Sequence, residues 1–204
     1  MVKVGLINYG SGNYTSVLNA LEYLNIQVIE VHVPDQLHLA THIILPGVGS
    51  FKNTMNKLKE HGFIDVLQNE VLNVGKPYLG ICVGMQILAT TGTEFGIQKG
   101  LNFIPGVVEK ISVDANTKLP HIGWNTVNLQ KEISLYKNIH DNNSFYFVHS
   151  YHFVPENNDH LIATCFYSSE VNACVGKDNI YGVQFHPEKS QNNGLQLLKN
   201  FITI

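Results

Sequence analysis

Charge is scarce in this chain. Only 14% of its 204 residues are Asp, Glu, Lys or Arg, and 13 basic residues leave a net charge of −3. That balance gives no electrostatic case for binding nucleic acid or an anionic membrane surface. Long apolar runs are missing too: no segment approaches the roughly 20 residues that a membrane-spanning helix needs. The opening Met1-Val2-Lys3-Val4-Gly5-Leu6-Ile7 is too short for a signal peptide before it meets a turn. Cysteine is limited to Cys82, Cys165 and Cys174, with no Cys-x-x-Cys spacing, which argues against both a zinc site and a disulfide framework. Repeats, low-complexity tracts and long linkers are absent. These absences predict a cytoplasmic protein with no metal or other cofactor. With 44% hydrophobic residues the chain has material for a sizeable core, and one domain over residues 1–204 is expected.

What is present is an alternation of strand and helix signals. An apolar run at 2–8 ends in Tyr9-Gly10-Ser11-Gly12-Asn13, and Val17, Leu18, Leu21 and Leu24 then recur at helical spacing. Further strands are expected at 27–31, 42–45 and 77–81, with helices around 51–59 and 63–74. This order implies an α/β fold whose central, largely parallel sheet is covered by helices on both faces. Sites in such sheets form at the C-terminal strand ends. Three glycine-rich loops, at 9–13, 46–49 and 80–84, fall there. From 101 to 184 the pattern changes to short β runs separated by Asn, Asp and Gly, predicting mostly antiparallel hairpins. Leu195, Leu197, Leu198 and Phe201 close the chain on a helix.

The loop at 80–84 carries the strongest chemical signal. Gly80-Ile81-Cys82-Val83-Gly84-Met85-Gln86 places a cysteine between glycines, after an apolar strand and before a helix-like run through Leu88. This is the nucleophile-elbow pattern with Cys in place of Ser. A turn that tight needs small flanking residues and strains the nucleophile's own backbone. The helix N-terminus beneath the sulfur favours thiolate. The competing reading is a buried, inert cysteine.

A thiolate nucleophile needs a base, and the base needs a partner to hold it. Gly182-Val183-Gln184-Phe185-His186-Pro187-Glu188 offers both. Residues two apart in an extended segment point to the same side. Glu188 can therefore hold one imidazole nitrogen of His186 while the other faces a sulfur. Otherwise this is a surface turn with a capping glutamate.

These segments resemble the class I, triad-type glutamine amidotransferases. Pro46-Gly47-Val48-Gly49, the Cys82 elbow and Phe185-His186-Pro187-Glu188 match that class in order. Asn8-Tyr9-Gly10-Ser11-Gly12-Asn13, Pro120-His121-Ile122-Gly123-Trp124-Asn125, Phe147-Val148-His149-Ser150-Tyr151 and His186-Pro187-Glu188-Lys189-Ser190 are most similar to the glutaminase subunits of imidazole glycerol phosphate synthases, of histidine biosynthesis. The resemblance implies a flavodoxin-like α/β/α fold and hydrolysis of L-glutamine through a thioester. It implies a Cys82-His186-Glu188 triad and an oxyanion hole made by Val83 with the Gly47-Val48-Gly49 loop. Gln86 and Glu94 match substrate contacts, with backbone near His149, Ser150 and Tyr151 completing the pocket. It further implies a heterodimer in which a (β/α)8-barrel cyclase takes the ammonia, with Asn8, Tyr9, Gly10, Asn13, Trp124 and Lys189 at the interface. Two of these roles have plain alternatives: Glu94 as an exposed loop carboxylate, and Trp124 as core.

Some positions depart from the usual pattern: Val83, Ile122, His152 and the segment Thr93-Glu94-Phe95-Gly96. None removes a reacting group, but the last is reminiscent of a paralogous group that supplies ammonia to a sugar amidotransferase in surface-polysaccharide biosynthesis. A catalytically silent scaffold subunit is a reading of another class; the intact Cys, His and Glu argue against it. A cysteine peptidase or deglycase would more often place His directly after the nucleophile, where Val83 stands.

Overall fold

The computed structural model describes residues 1–10, 12–139 and 143–204. Ser11, within the loop at 9–13, lies outside them. The first strand, β1 (Val4–Ile7), leads into α1 (Tyr14–Tyr23) and β2 (Val28–Val31), followed by β3 (His42–Leu45), α2 (Phe51–Glu60) and α3 (Phe63–Leu67). A single π-helical segment at Gln68–Asn73 carries α3 on towards β4 (Tyr78–Ile81), which feeds the short α4 (Val83–Gln86). The second half holds β5 (Thr91–Gly92), β6 (Gln98–Lys99), β7 (Gly106–Lys110), β8 (His121–Thr126), β9 (Asn128–Leu129), β10 (Ser144–His149) and β11 (Tyr151–Pro155). Then come β12 (Leu161–Tyr167), β13 (Ser169–Lys177), β14 (Ile180–Val183) and the closing α5 (Gln191–Phe201).

The main sheet has the order β2-β1-β3-β4-β14-β13-β12-β9. Its first five strands are parallel, and the remaining pairings are antiparallel. Side-chain alternation along the parallel strands divides the core into two layers. On one face Val4, Leu6, Ile44, Leu79 and Ile81 pack with Val17 and Leu21 of α1 and Leu197, Leu198 and Phe201 of α5. On the other, Ile7, Ile43, Leu45 and Tyr78 pack with Phe51 and Leu58 of α2 and Phe63 and Leu67 of α3. Strands buried on both sides explain why these segments read as continuous apolar runs rather than alternating ones. Two smaller sheets, β10-β8 and β11-β7-β5-β6, flank the main one.

Two departures from the sequence reading matter for the site. The hairpin pattern holds for β12–β13 and β13–β14, but β14 also runs parallel to β4 on its other side, pairing Gly182 with Gly80 and Val183 with Ile81. The C-terminal ends of β1, β3, β4 and β14 therefore converge on one edge. The helix after the elbow, expected to run through Leu88, is a single turn ending at Gln86. Its dipole is correspondingly small.

Candidate functional site

Cys82 sits at the junction of β4 and α4 with φ 56 and ψ −111, outside the conformations an L-residue ordinarily adopts. Holding a residue there costs of order 1–3 kcal/mol. Two glycines make the turn possible. A Cβ on Gly80 would lie 2.2 Å from the Gly84 carbonyl oxygen, and one on Gly84 would lie 2.1 Å from the Leu45 carbonyl oxygen. The elbow is thus pressed against the end of β3, where the 46–49 loop begins. The Cys82 N–H is anchored to the Val183 carbonyl at 2.8 Å.

β14 delivers His186 to the same edge. Its ring is fully buried, and Nδ1 donates to Glu188 Oε1 at 2.7 Å. The Asn13 amide donates to the same carboxylate oxygen and lies 3.1 Å from Nδ1. With the Nδ1 proton committed to Glu188, Asn13 shares the carboxylate rather than bonding the ring. Nε2 makes no hydrogen bond among the described residues, yet the Cys82 sulfur acts on the ring electrostatically. Burial alone disfavours the charged imidazole, but Cys82 and Glu188 outweigh it and raise the His186 pKa to about 10. The ring holds its proton at neutral pH, so an imidazolium faces the sulfur. That pairing, more than the one-turn helix, supplies positive charge beside the sulfur.

A cavity of about 280 Å³ opens beside the sulfur, lined by Val48, Gly49, Cys82, Gln86, Glu94 and His149 among others. The expected substrate contacts Gln86, Glu94, His149, Ser150 and Tyr151 all border it. Their hydrogen bonds refine their roles. Glu94 Oε2 accepts from the Phe51 N–H at the start of α2 at 2.9 Å, so this carboxylate also caps a helix. The Tyr151 carbonyl accepts from Gln86 Nε2 at 2.9 Å and from His149 Nδ1 at 2.8 Å, which fills both its lone pairs. The Ser150 carbonyl is taken by the Ile111 N–H. Val83 opens α4, where an N–H has no intrahelical acceptor. Gly49 has φ 124, a glycine conformation in open space, while Gly47 is buried and Val48 is exposed. A larger groove of about 750 Å³ along residues 129–139 contains none of these groups.

The expected interface residues divide. Trp124 is 49% exposed, which rules out a core role, and meets Tyr146 edge-on; Lys189 lies 6.0 Å from the centre of the same Tyr146 ring. Gly10 is exposed, with its carbonyl accepting from Lys57 Nζ. Asn8 is half-buried, its side chain accepting from the Gly10 N–H. Tyr9 differs from expectation. It is 1% exposed and packs in the core layer with Ile7 and Phe51, because strand alternation continues past β1 and turns its side chain inward. Asn13 is half-buried, and its amide also reaches the His186–Glu188 pair.

Sequence reasoning missed two groups. Gln184 is fully buried, and its Nε2 donates to Cys82 Sγ at 3.7 Å. The available signal was a lone amide in an apolar strand run, two residues before His186 and so on the same side. His121 is buried against His149, with 3.0 Å between Nδ1 of the first and Nε2 of the second. Desolvation lowers the His121 pKa to about 4 and the His149 pKa to about 3.

A cysteine sulfur beside an imidazolium and a carboxylate, at the C-terminal edge of a mixed sheet, is a site for attack on an acyl or amide carbon. Residues 5–204 match the family model for class-I glutamine amidotransferases, and the chain belongs to that family. Within it, the chain is 45% identical over 201 residues to imidazole glycerol phosphate synthase subunit HisH 1 of Campylobacter jejuni, covering 98% of this chain and 100% of the relative. It is 41% identical to subunit HisH of Geobacter sulfurreducens and 43% identical to HisH 2 of Methanococcus maripaludis, each covering 98% of both chains. Among solved structures, the PurLQS structure from Thermotoga maritima superposes with a TM-score of 0.75 at 19% identity, over 99% of this chain and 98% of that one. A glutamine amidotransferase from the same organism gives 0.67 at 18%, over 99% and 81%. These bear out the flavodoxin-like fold. No helix among the described residues is long and apolar enough to cross a membrane.

Proposed function

We propose that this chain, acting as one domain, is the glutamine-hydrolysing subunit of an imidazole glycerol phosphate synthase in histidine biosynthesis. The observation that carries it is the meeting of Cys82, His186 and Glu188 at one sheet edge in a chain whose full-length relatives are HisH subunits. The three relatives named above all carry the name of imidazole glycerol phosphate synthase subunits, which favours this reading over the sugar-pathway one suggested by Thr93-Glu94-Phe95-Gly96.

The chemistry follows from the arrangement. The Cys82 thiolate attacks the side-chain amide carbon of L-glutamine, and the carbonyl electrons move onto oxygen. The Val83 N–H and a donor from the Gly47-Val48-Gly49 loop receive that oxyanion. Protonated His186 gives its proton to the departing nitrogen, the C–N bond breaks, and ammonia leaves a glutamyl thioester. Neutral His186 then takes a proton from water, which attacks the thioester. The C–S bond breaks with its electrons returning to sulfur, which yields glutamate and restores the ion pair. Glu188 keeps the ring in register throughout. Gln86 Oε1 and Glu94 are suited to the substrate's ammonium group, and backbone N–H groups at 149–151 to its carboxylate.

Ammonia passes to a cyclase partner of (β/α)8-barrel form. Support for a docking face comes from the exposed Ile122 and Trp124 on β8, beside Lys189 and the Asn8, Gly10 and Asn13 loop. Cytoplasmic residence accords with such a role. Cys82→Ala should abolish glutamine hydrolysis while the assembled complex still makes product from added ammonium; undiminished glutaminase activity would sink the assignment.

A further inference from the structure

Gln184 belongs to none of the roles above, yet its amide is the only one hydrogen-bonded to the sulfur among the described residues. Its orientation can be deduced rather than assumed. The Tyr151 carbonyl only accepts, so the Gln86 atom 2.9 Å from it must be the NH2 nitrogen. That nitrogen's other N–H points to Gln184 at 3.1 Å, so the Gln184 atom facing it must be the carbonyl oxygen. The remaining end of the Gln184 amide is therefore NH2, and it is directed at Cys82 Sγ. The Tyr151 carbonyl is itself fixed from its other side by His149, which donates through Nδ1. Neutral His149 then accepts at Nε2 from His121 Nδ1–H, and His121 Nε2 accepts from Asn125 Nδ2. Each link has a single allowed polarity, and every reversal leaves two acceptors or two donors face to face.

We propose that Gln184 is a positioning residue for the nucleophile: its N–H, held in one orientation by the Gln86–Tyr151 chain, fixes the sulfur and stabilises its anionic form. An N–H directed at an anion from a buried, immobile amide is a preorganised donor. It acts twice in the reaction. It holds the attacking thiolate at the elbow, and it donates to the sulfur again as the electron pair of the breaking thioester C–S bond returns there. His186 serves the same atom from the other side. The remaining titratable groups bordering the sulfur's pocket are Glu94, His149 and Tyr151, with Glu188 acting through His186.

The proposal rests on Cys82 being the nucleophile, and the test separates the two. The pH dependence of inactivation by iodoacetamide is measured on the full chain for the wild type, Gln184→Glu and Gln184→Met, alongside kcat and KM for glutamine hydrolysis. Gln184→Glu keeps the acceptor for Gln86 and replaces the donor with an oxygen, so its inactivation midpoint should rise by about one pH unit or more. Gln184→Met removes the donor without adding charge, and its midpoint should rise less. In both variants kcat should fall roughly 10- to 100-fold with KM held within about threefold, the pattern of lost transition-state stabilisation. A wild type that iodoacetamide does not inactivate would overturn the nucleophile itself. Inactivation with one shared midpoint and kcat within about twofold of wild type would overturn the role of Gln184 alone. If circular dichroism shows that neither variant folds, a ¹⁵N titration of the wild type decides. The Gln184 side-chain NH2 signal should follow the Cys82 thiol and stop following it in Cys82→Ala; an invariant signal overturns the proposal.

Discussion

The buried His121–His149 pair makes the stability of this protein sensitive to mild acid, and the size of the effect can be worked out. Both rings are desolvated, with folded pKa values of about 4 and about 3. An unfolded histidine titrates near 6.5. Because the folded values lie below the unfolded one, the unfolded chain takes up protons first as the pH falls. The stability supplied by the neutral pair is therefore complete above about pH 6.5 and drains away towards pH 3–4. Between pH 7 and pH 5 each ring contributes a loss of about 2 kcal/mol, and the pair at most about 4 kcal/mol. The perturbation is His121→Asn, whose amide nitrogen can donate to His149 Nε2 in place of the ring Nδ1–H without titrating. Urea unfolding followed by far-ultraviolet circular dichroism at the two pH values gives the loss for each protein. His42 and His152, whose pKa values burial also lowers, contribute equally to both proteins and cancel in the difference. The wild type should lose about 2 kcal/mol more than the variant over this interval. An equal loss would refute the reasoning, because it would mean that His121 is already charged, or exchanging with water, in the folded protein.

Three further outcomes are expected. Asn13→Ala removes a donor from the Glu188 carboxylate and should slow glutamine hydrolysis about tenfold, in line with the roughly 1.5 kcal/mol of a charge-assisted bond; steady-state kinetics checks it, and Asn13→Asp should be slower still from like-charge repulsion. Gly84→Ala drives a methyl group into the Leu45 carbonyl and should cost about 3 kcal/mol or more of stability, read from the denaturation midpoint. Trp124→Ala, at a half-exposed site, should change stability by no more than about 0.5 kcal/mol. Calorimetric titration should nevertheless show it weakening partner binding by about 2 kcal/mol.

Much of the site was legible in the sequence because its reacting groups sit in short segments whose local geometry is dictated locally. The small residues at 80 and 84 announce a tight turn, and the two-residue offset of His186 and Glu188 announces a shared side. The strands at 42–45 and 77–81 were readable for a related reason: burial on both faces leaves only apolar residues to choose from. What was not legible depends on partners far apart in the chain. Gln184, a single amide in an apolar run, gains meaning only when β14 turns parallel to β4. Asn13 reads as a loop residue until the start of α1 is brought against a turn 173 positions later. His121 and His149 meet only through the register of β8 and β10. Tyr9, placed at an interface by the family resemblance alone, is buried because alternation carries on for two residues beyond β1. The helix after the elbow fell short because the backbone bonds beyond Gln86 turn to other partners, such as the Ile87 carbonyl with the Leu101 N–H.

The contact between Gly84 and the Leu45 carbonyl has a mechanical consequence. It joins the base of the elbow to the last residue before the 46–49 loop, with no side chain between them to flex. A displacement of one strand end would carry the other along, so the elbow and the loop proposed to hold the oxyanion would drift together instead of independently. Their separation is then insensitive to the breathing of the outer strands, and the antiparallel flank can loosen or tighten against a neighbouring molecule without detuning the attack distance.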